Sequence, residues 1–224
     1  MKKRTGRDMN EVELKARVEQ EILAKNYTET GHLFVPVNVS NRHIHLDAEA
    51  LRVLFGNAYE LTHQKDLIQI GQFACKETVT LKGPKGSIPN VRVLGPLRKE
   101  TQIEVSRADC FKLGVKPVLK LSGHLEGTPG IIVEGPAGSL ELKRGVMVAQ
   151  RHLHVPTTLE NVLDLHNGDT VSFITKGERP CVMMEVIVRV SDASLLEAHV
   201  DIEEANGCGF ANGMLVNVIK EVAR

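Results

Sequence analysis

Arg42-His43-Ile44-His45-Leu46 recurs later in the chain as Arg151-His152-Leu153-His154-Val155. Each copy sets an arginine before two histidines, with one branched apolar residue between them and another apolar residue after. Such alternation reads as β-strand, where residues i and i+2 face the same side. Both imidazoles of a pair then converge on one spot, while Ile44 or Leu153 turns into a core. Neutral imidazole is the common nitrogen ligand of zinc-class ions, so a same-face pair suits such a metal. One H-x-H could as easily be a solvated strand face. Two copies in matching context favour ligation.

The flanks of both copies follow one plan. A strand over 33–40 runs into the first pair, and another over 146–150 into the second. A short helix follows each: 47–55, capped by Asp47 and ended by Gly56, and 157–165, capped by Thr157 or Thr158. Short strands fill the rest, at 78–81, 91–94, 102–106, 170–175, 182–190, 196–202 and 214–219, with a helical turn over 108–113 ended by Gly114. The turn Gly83-Pro84-Lys85-Gly86 is echoed by Gly135-Pro136-Ala137-Gly138. Short strands with a turn signal every ten or so residues mean a barrel or sandwich rather than βαβ units. The echo suggests two related small barrels, a duplication and not a solenoid.

Composition narrows the function classes. The 224 residues are 42% hydrophobic and 25% charged, ordinary values for a globular protein with a sizeable core. Lys+Arg and Asp+Glu balance at 28 each, so nothing global favours nucleic acid or an anionic membrane. No apolar run reaches bilayer length, and Met1-Lys2-Lys3-Arg4 lacks a following apolar segment; a cytoplasmic protein is expected. Cys75, Cys110, Cys181 and Cys208 are scattered without a C-x-x-C, which argues against a disulfide framework and a thiolate zinc site. No P-loop, G-x-G-x-x-G or G-x-S-x-G is present, which disfavours NTPases, Rossmann dehydrogenases and α/β-hydrolases.

Residues 1–8 are basic and polar, and disorder is expected there. A helix is expected over 9–25, with Val12, Leu14, Val18, Ile22 and Leu23 as its apolar stripe and Asn10 or Asp8 as its cap. The stretch 26–31 reads as a linker. A short amphipathic helix on a linker suits docking to a partner or to its own domain.

Three single residues add chemistry. His199 alternates within an apolar strand and could bring a third nitrogen to one pair. Glu104 holds the comparable place in the first half and could bring a carboxylate. Three protein ligands with an open position is the pattern of a catalytic metal. Arg98 follows a turn and could fork onto phosphate oxygens.

Ser40-Asn41-Arg42-His43-Ile44-His45-Leu46, Gly71-Gln72-Phe73-Ala74, Gly83-Pro84-Lys85-Gly86, Val93-Leu94-Gly95-Pro96-Leu97-Arg98-Lys99-Glu100-Thr101-Gln102 and Arg151-His152-Leu153-His154 closely resemble the PduL-type phosphotransacylases. These are the phosphate propanoyltransferases of bacterial microcompartments. The likeness runs from about Phe34 to Gly209. It implies a mainly β fold of two six-stranded barrels with swapped strands plus short helices: 32–41 with 150–224 as one barrel, 42–149 as the other, and 1–31 as an extension. It implies two zinc ions per chain, one on His43, His45 and Glu104, the other on His152, His154 and His199. Arg98 falls on the phosphate-binding arginine. Contacts to coenzyme A fall on Ser40, Lys65, Arg92, Leu94, His199 and Asn206. The implied reaction converts a short-chain acyl-CoA, propanoyl or acetyl, and phosphate into acyl phosphate and CoA. Expected partners are those substrates, copies of the same chain, and shell or cargo proteins of a microcompartment, met through the N-terminal helix.

Two other readings compete. His43-x-His45-x-Asp47 begins like a metallo-β-lactamase signature, although Ala48 stands where its last histidine belongs. A non-enzymatic metal-binding barrel is the third. Phosphate as its own nucleophile needs no Ser-His or Cys-His pair, so no cysteine is expected to carry the acyl group.

Overall fold

The computed structural model describes residues 11–176 and 178–220. In chain order α1 (Glu11–Thr30) leads into β1 (Leu33–Ser40), and after Asn41 and Arg42 comes β2 (His43–His45). Next are α2 (Ala48–Phe55), β3 (His63–Asp66), β4 (Phe73–Lys82), β5 (Ser87–Gly95), β6 (Gln102–Glu104), α3 (Arg107–Leu113), β7 (Leu119–Lys120), β8 (Ile131–Glu134), β9 (Ser139–Leu142) and β10 (Val146–Ala149). The remainder runs β11 (His152–Pro156), α4 (Thr157–Leu163), β12 (Thr170–Ile174), β13 (Val182–Ser191), β14 (Glu197–Asp201), α5 (Ile202–Cys208) and β15 (Leu215–Lys220).

Alternation decides which face of each strand is buried. In β1, Leu33, Val35 and Val37 are buried while the residues between them are half-buried. Six strands, in the order β1-β14-β11-β13-β12-β15, close into a barrel around this face. The other nine form one sheet, β7-β10-β6-β2-β5-β4-β8-β9, with β3 added against β4. Each body has its own core, one including Val35, Leu153, Phe173 and Val188, the other Ile44, Leu81, Val93 and Ile103. Consecutive strands thus part company: β1 joins the barrel, and β2, two residues later, joins the sheet. Ile44 and Leu153, the middle residues of the two histidine motifs, are both wholly buried, one in each core. Truncating either to alanine would cost about 2–5 kcal/mol of stability.

The mainly β class holds. One body closes with six strands; the second has nine strands in an extended path where the resemblance implies a ring of six. The two Gly-Pro turns do not mark the two halves of a duplication. Both lie in the sheet, each closed by a glycine-to-glycine hydrogen bond of 2.9 Å. Both glycines that open these turns sit against the end of a helix: a Cβ on Gly83 would run into the Leu113 carbonyl, and one on Gly135 into that of Leu54.

Helix ends show how local chemistry reads out. Asp47 caps α2 as expected, accepting from Ala50 N at 2.8 Å. At α4 the cap position falls on Pro156, with no side-chain bond, so neither Thr157 nor Thr158 caps it. Proline presets the backbone angle there and the first turn does without a hydroxyl. The supposed linker 26–31 is helix as far as Thr30, held by the packing of Ala24 and Tyr27 on the barrel, and Thr28 and Thr30 turn their hydroxyls back onto the carbonyls of Lys25 and Asn26. Gly31, at φ +72°, ends it. The face of α1 that meets the barrel carries Leu23, Ala24 and Tyr27, while Leu14, Val18 and Ile22 stay exposed. The expected disorder of 1–8 and the cap at Asn10 or Asp8 lie outside the described residues. No helix among them is long and apolar enough to cross a membrane.

Candidate active site

The two histidine motifs sit in the same local frame. β2 lies antiparallel to β6, with His43 opposite Glu104 and His45 opposite Gln102. β11 lies antiparallel to β14, with His152 opposite His199 and His154 opposite Glu197. In each case the facing strand sets a third donor across from the first histidine. His43, His45 and Glu104 form one group whose ligand atoms lie within 4.8 Å of one another; His152, His154 and His199 form the other.

The surroundings repeat as well. His43 Nδ1 lies 2.8 Å from Asn41 O, and His152 Nδ1 lies 2.8 Å from Gln150 O. A carbonyl only accepts, so each ring donates from Nδ1 and turns its Nε2 towards the other members of the group. Two residues past each third donor a side chain caps a helix: Ser106 for α3, Asp201 for α5. The acid three residues on, Asp109 or Glu204, completes a capping box and takes the motif arginine: Arg42 Nε to Asp109 at 2.8 Å, Arg151 Nη1 to Glu204 at 2.9 Å. Both motif arginines therefore act as struts that fix the strand against a helix start; Arg42 also lines the cavity onto which both groups open.

Behind each third donor stands a residue that the sequence reading missed. Gln102 Nε2 donates to Glu104 Oε1 at 2.6 Å and to Ser122 Oγ at 2.8 Å, while Gly123 N donates to Gln102 Oε1. Glu197 is wholly buried; its Oε2 receives His199 Nε2 at 2.6 Å and Gln69 Nε2 at 2.7 Å. A carboxylate acceptor leaves His199 Nδ1 as the nitrogen free to bind. Period-two alternation alone could have found Gln102 and Glu197, each two residues before a third donor on the same face.

Burial and neighbouring charge set the protonation. Burial pulls His43 down, but the charge and hydrogen bond of Glu104, 3.5 Å away, outweigh it and the net shift is upward. Burial pushes Glu104 up, yet His43, His45 and Arg98 hold it well below the usual carboxylate range. His45 and His152 are pushed down to about 3, by burial first and then by His43 or His199. His154 is lowered by burial and by His199. The rings of His45, His152 and His154, so lowered, are neutral at physiological pH, the form that binds metal. The donor sets N,N,O and N,N,N suit a zinc-class ion. His45 Nδ1 and Glu197 Oε1 are buried atoms without a hydrogen-bond partner among the described residues. A buried carboxylate behind a cluster of three histidines is the outer support such an ion favours.

Both groups open on one cavity of about 580 Å³. Arg98 lines it, anchored by its backbone N to Leu46 O and by Nη1 to Ser122 Oγ, both at 2.8 Å. Arg189, which stands opposite His154 in the neighbouring strand, lines it too. Neither arginine pairs with a carboxylate among the described residues. Burial lowers both, and the charge of Arg189 lowers Arg98 further. Arg189 was missed, although a cation inside the apolar run of β13 was a signal. Ser40, Arg92, Leu94 and His199 line the cavity; Lys65 and Asn206 are exposed and lie outside its lining. Asp47 is occupied as a cap, bonded to Ala50 N and to Thr101 N and Oγ1, which removes it from any H-x-H-x-D metal site.

The family model for phosphate propanoyltransferase matches residues 36–211. The chain belongs to the phosphate propanoyltransferase family. Relatives bearing that name agree along most of their length. The one from Rhodobacter capsulatus is 48% identical over 206 residues, 91% of this chain and 96% of its own. Those from Rhodopseudomonas palustris and Thermotoga maritima are 52% and 50% identical, covering 84% and 82% of this chain and 83% and 88% of theirs. The resemblance drawn from the motifs therefore holds, and the phosphate propanoyltransferase fold here is that of an acyltransferase enzyme.

Proposed function

We propose that the chain interconverts a short-chain acyl-CoA, propanoyl-CoA or acetyl-CoA, and phosphate with acyl phosphate and CoA, by direct transfer at a site holding two zinc ions. The observation that carries this reading is that both three-donor groups and Arg98 face one cavity. A phosphate oxygen attacks the thioester carbonyl carbon, a C–O bond forms, and the C–S bond breaks with CoA leaving as thiolate. Arg98, steadied by Ser122, and Arg189 hold the phosphate and offset its charge, so the attack becomes effectively intramolecular. His43, His45 and Glu104 would hold one ion and His152, His154 and His199 the other. The chemistry zinc supplies when bound is Lewis-acid stabilisation of a carbonyl oxygen or a departing thiolate. Ser40, Arg92 and Leu94, at the cavity wall, are placed to meet CoA, with Lys65 and Asn206 reaching it only at its periphery.

The test is acyl-phosphate-dependent acylation of CoA, followed by thioester absorbance with and without chelator. Activity that chelation removes and zinc restores supports the reading. Hydrolysis without acyl transfer would favour a metallohydrolase, and no turnover with tight metal binding a non-enzymatic barrel. Direct transfer also requires both substrates bound together, so initial rates should follow a sequential pattern. Cys75 and Cys110 are buried, and burial pushes both thiols up to about 11. A chain lacking all four cysteines should keep activity in proportion to its folded fraction; a covalent acyl-enzyme trapped from acyl-CoA alone would defeat direct transfer.

Gln102→Leu and Glu197→Gln each take away the support of a third donor. Each should weaken metal affinity at its own site by about 10–100-fold, read by chelator competition. Unchanged affinity in both would leave these residues as packing only.

The same reading places the enzyme inside a bacterial microcompartment, as a homo-oligomer whose size light scattering would report. The exposed Leu14, Val18 and Ile22 of α1, spaced four apart, supply an outward apolar stripe for a shell or cargo protein. Changing these three to glutamate should leave catalysis intact and abolish co-localisation with shells. Deleting residues 1–26 is a blunter test, because it also removes Leu23 and Ala24 from the barrel core. Normal packaging of the triple variant would give the stripe another role.

A further inference from the structure

All four cysteines are free thiols, and the proposed reaction uses none of them. Two of them meet nonetheless. Cys181 Sγ lies 2.8 Å from Cys208 Sγ, too close for sulfurs that merely pack and still short of a bond. The backbone fixes both ends. Cys181 N donates to Thr175 Oγ1 at 2.7 Å, and Thr175 N donates to Cys181 O at 3.0 Å, which pins the residue just before β13. Cys208 ends α5, where Gly209 in the left-handed conformation bonds back to Ala205 and Asn206. Cys208 is buried and Cys181 half-buried. Cys75 and Cys110 sit in the other body's core and have no such sulfur neighbour.

We propose that Cys181 and Cys208 form a reversible disulfide that staples the start of β13 to the end of α5. The oxidant is a low-molecular-weight disulfide of the glutathione class. Cys181, the more accessible thiol, loses its proton and attacks one sulfur of that disulfide. A mixed disulfide forms, and one small thiolate leaves and takes a proton. Cys208 then loses its proton and attacks Cys181 Sγ, expelling the second small thiol. Two protein thiols are oxidised to one disulfide, and one external disulfide is reduced to two thiols. Burial, with Cys181 beside it, pushes the Cys208 thiol up to about 11, so its thiolate is scarce. Its fixed position against Cys181 offsets that scarcity, because the second step is intramolecular. The closed loop contains Arg189, Glu197 and His199, so the bond would restrain a segment that gives part of the barrel's share of the cavity, the rest coming from β1 and β11. Neither cysteine lines that cavity, so the proposal stands or falls apart from the acyl-transfer reading.

The experiment treats the full-length chain with glutathione disulfide, then maps its peptides without reduction and measures melting. The expected products are a Cys181–Cys208 cross-linked peptide, an intact mass lower by two hydrogens, and a melting temperature raised by roughly 5–10 °C. Dithiothreitol should reverse all three. Cys181→Ser should show none of them, and Cys208→Ser should retain a glutathione adduct at Cys181 because the resolving thiol is gone. Cys181 and Cys208 both still alkylatable after oxidation, or a lasting adduct at Cys181 in the unaltered chain, would overturn the proposal. A bond formed with no change in melting would overturn the stapling.

Discussion

His43→Ala and His152→Ala should each lower acyl transfer by about 10³-fold or more, because on the proposed mechanism each removes one of three donors to an ion that stabilises developing charge by several kcal/mol. Each ring is almost wholly buried, yet the strand around it is held by Ile44 or Leu153 in the core and by a motif arginine on a helix cap. Circular dichroism should therefore stay native while metal content falls from two ions per chain towards one. Imidazole added to either variant gives a second readout, since a free ring can enter the vacated space. Active, unaltered protein with no bound metal would sink the assignment. Variants that keep both ions and still lose activity would move these histidines from ligation to another role.

Arg98→Ala comes second in size. On the proposed mechanism it removes a charge-assisted contact to phosphate worth about 1.5–3 kcal/mol, so kcat/KM for phosphate should fall roughly 10–100-fold, with CoA binding less affected. Arg98→Lys should rescue little, because a planar fork is replaced by a point charge. Arg189→Ala should act in the same direction. If both arginines hold one anion, the double variant should lose less than the two single losses combined, since the second removal acts on a contact already weakened. Phosphate kinetics unchanged in Arg98→Ala would return that residue to a wall position supporting Ser122.

What the sequence disclosed follows from the range of each signal. The H-x-H pairs are period-two patterns within a few residues, and they fell on β2 and β11 with the apolar residue inward. Their third donors, Glu104 and His199, were legible only as alternating polar residues in apolar strands; strand register, a long-range property, sets them opposite His43 and His152. Arg189 lies opposite His154 through the same kind of pairing, and no local pattern announces that. Gln69 reaches Glu197 across 128 positions of sequence, beyond any window. The linker reading of 26–31 failed because polar threonines and asparagine, weak helix formers, were judged without the Ala24 and Tyr27 contacts that hold α1 to the barrel. The count of sheet strands failed because β3 and β7 to β9 are short or polar, and pairing rather than composition makes them strands.

The thread from β1 to β2 has a consequence for how the gene can be divided. Because the strand before the first histidine motif completes a barrel otherwise made from the last third of the chain, no single cut yields two self-sufficient pieces. A break after Asn41 would keep both motifs in one piece but rob that piece of a stave; a break before β11 would separate the motifs and strand the stave in the wrong fragment. Bonds between the bodies, such as Glu203 on the amides of Arg107 and Ala108, rivet the halves further. Each half brings one donor triad and one arginine without a carboxylate partner among the described residues, so neither alone is a lesser version of the whole. The catalytic unit behaves as a logical conjunction of two folded parts, indivisible in both chain and chemistry.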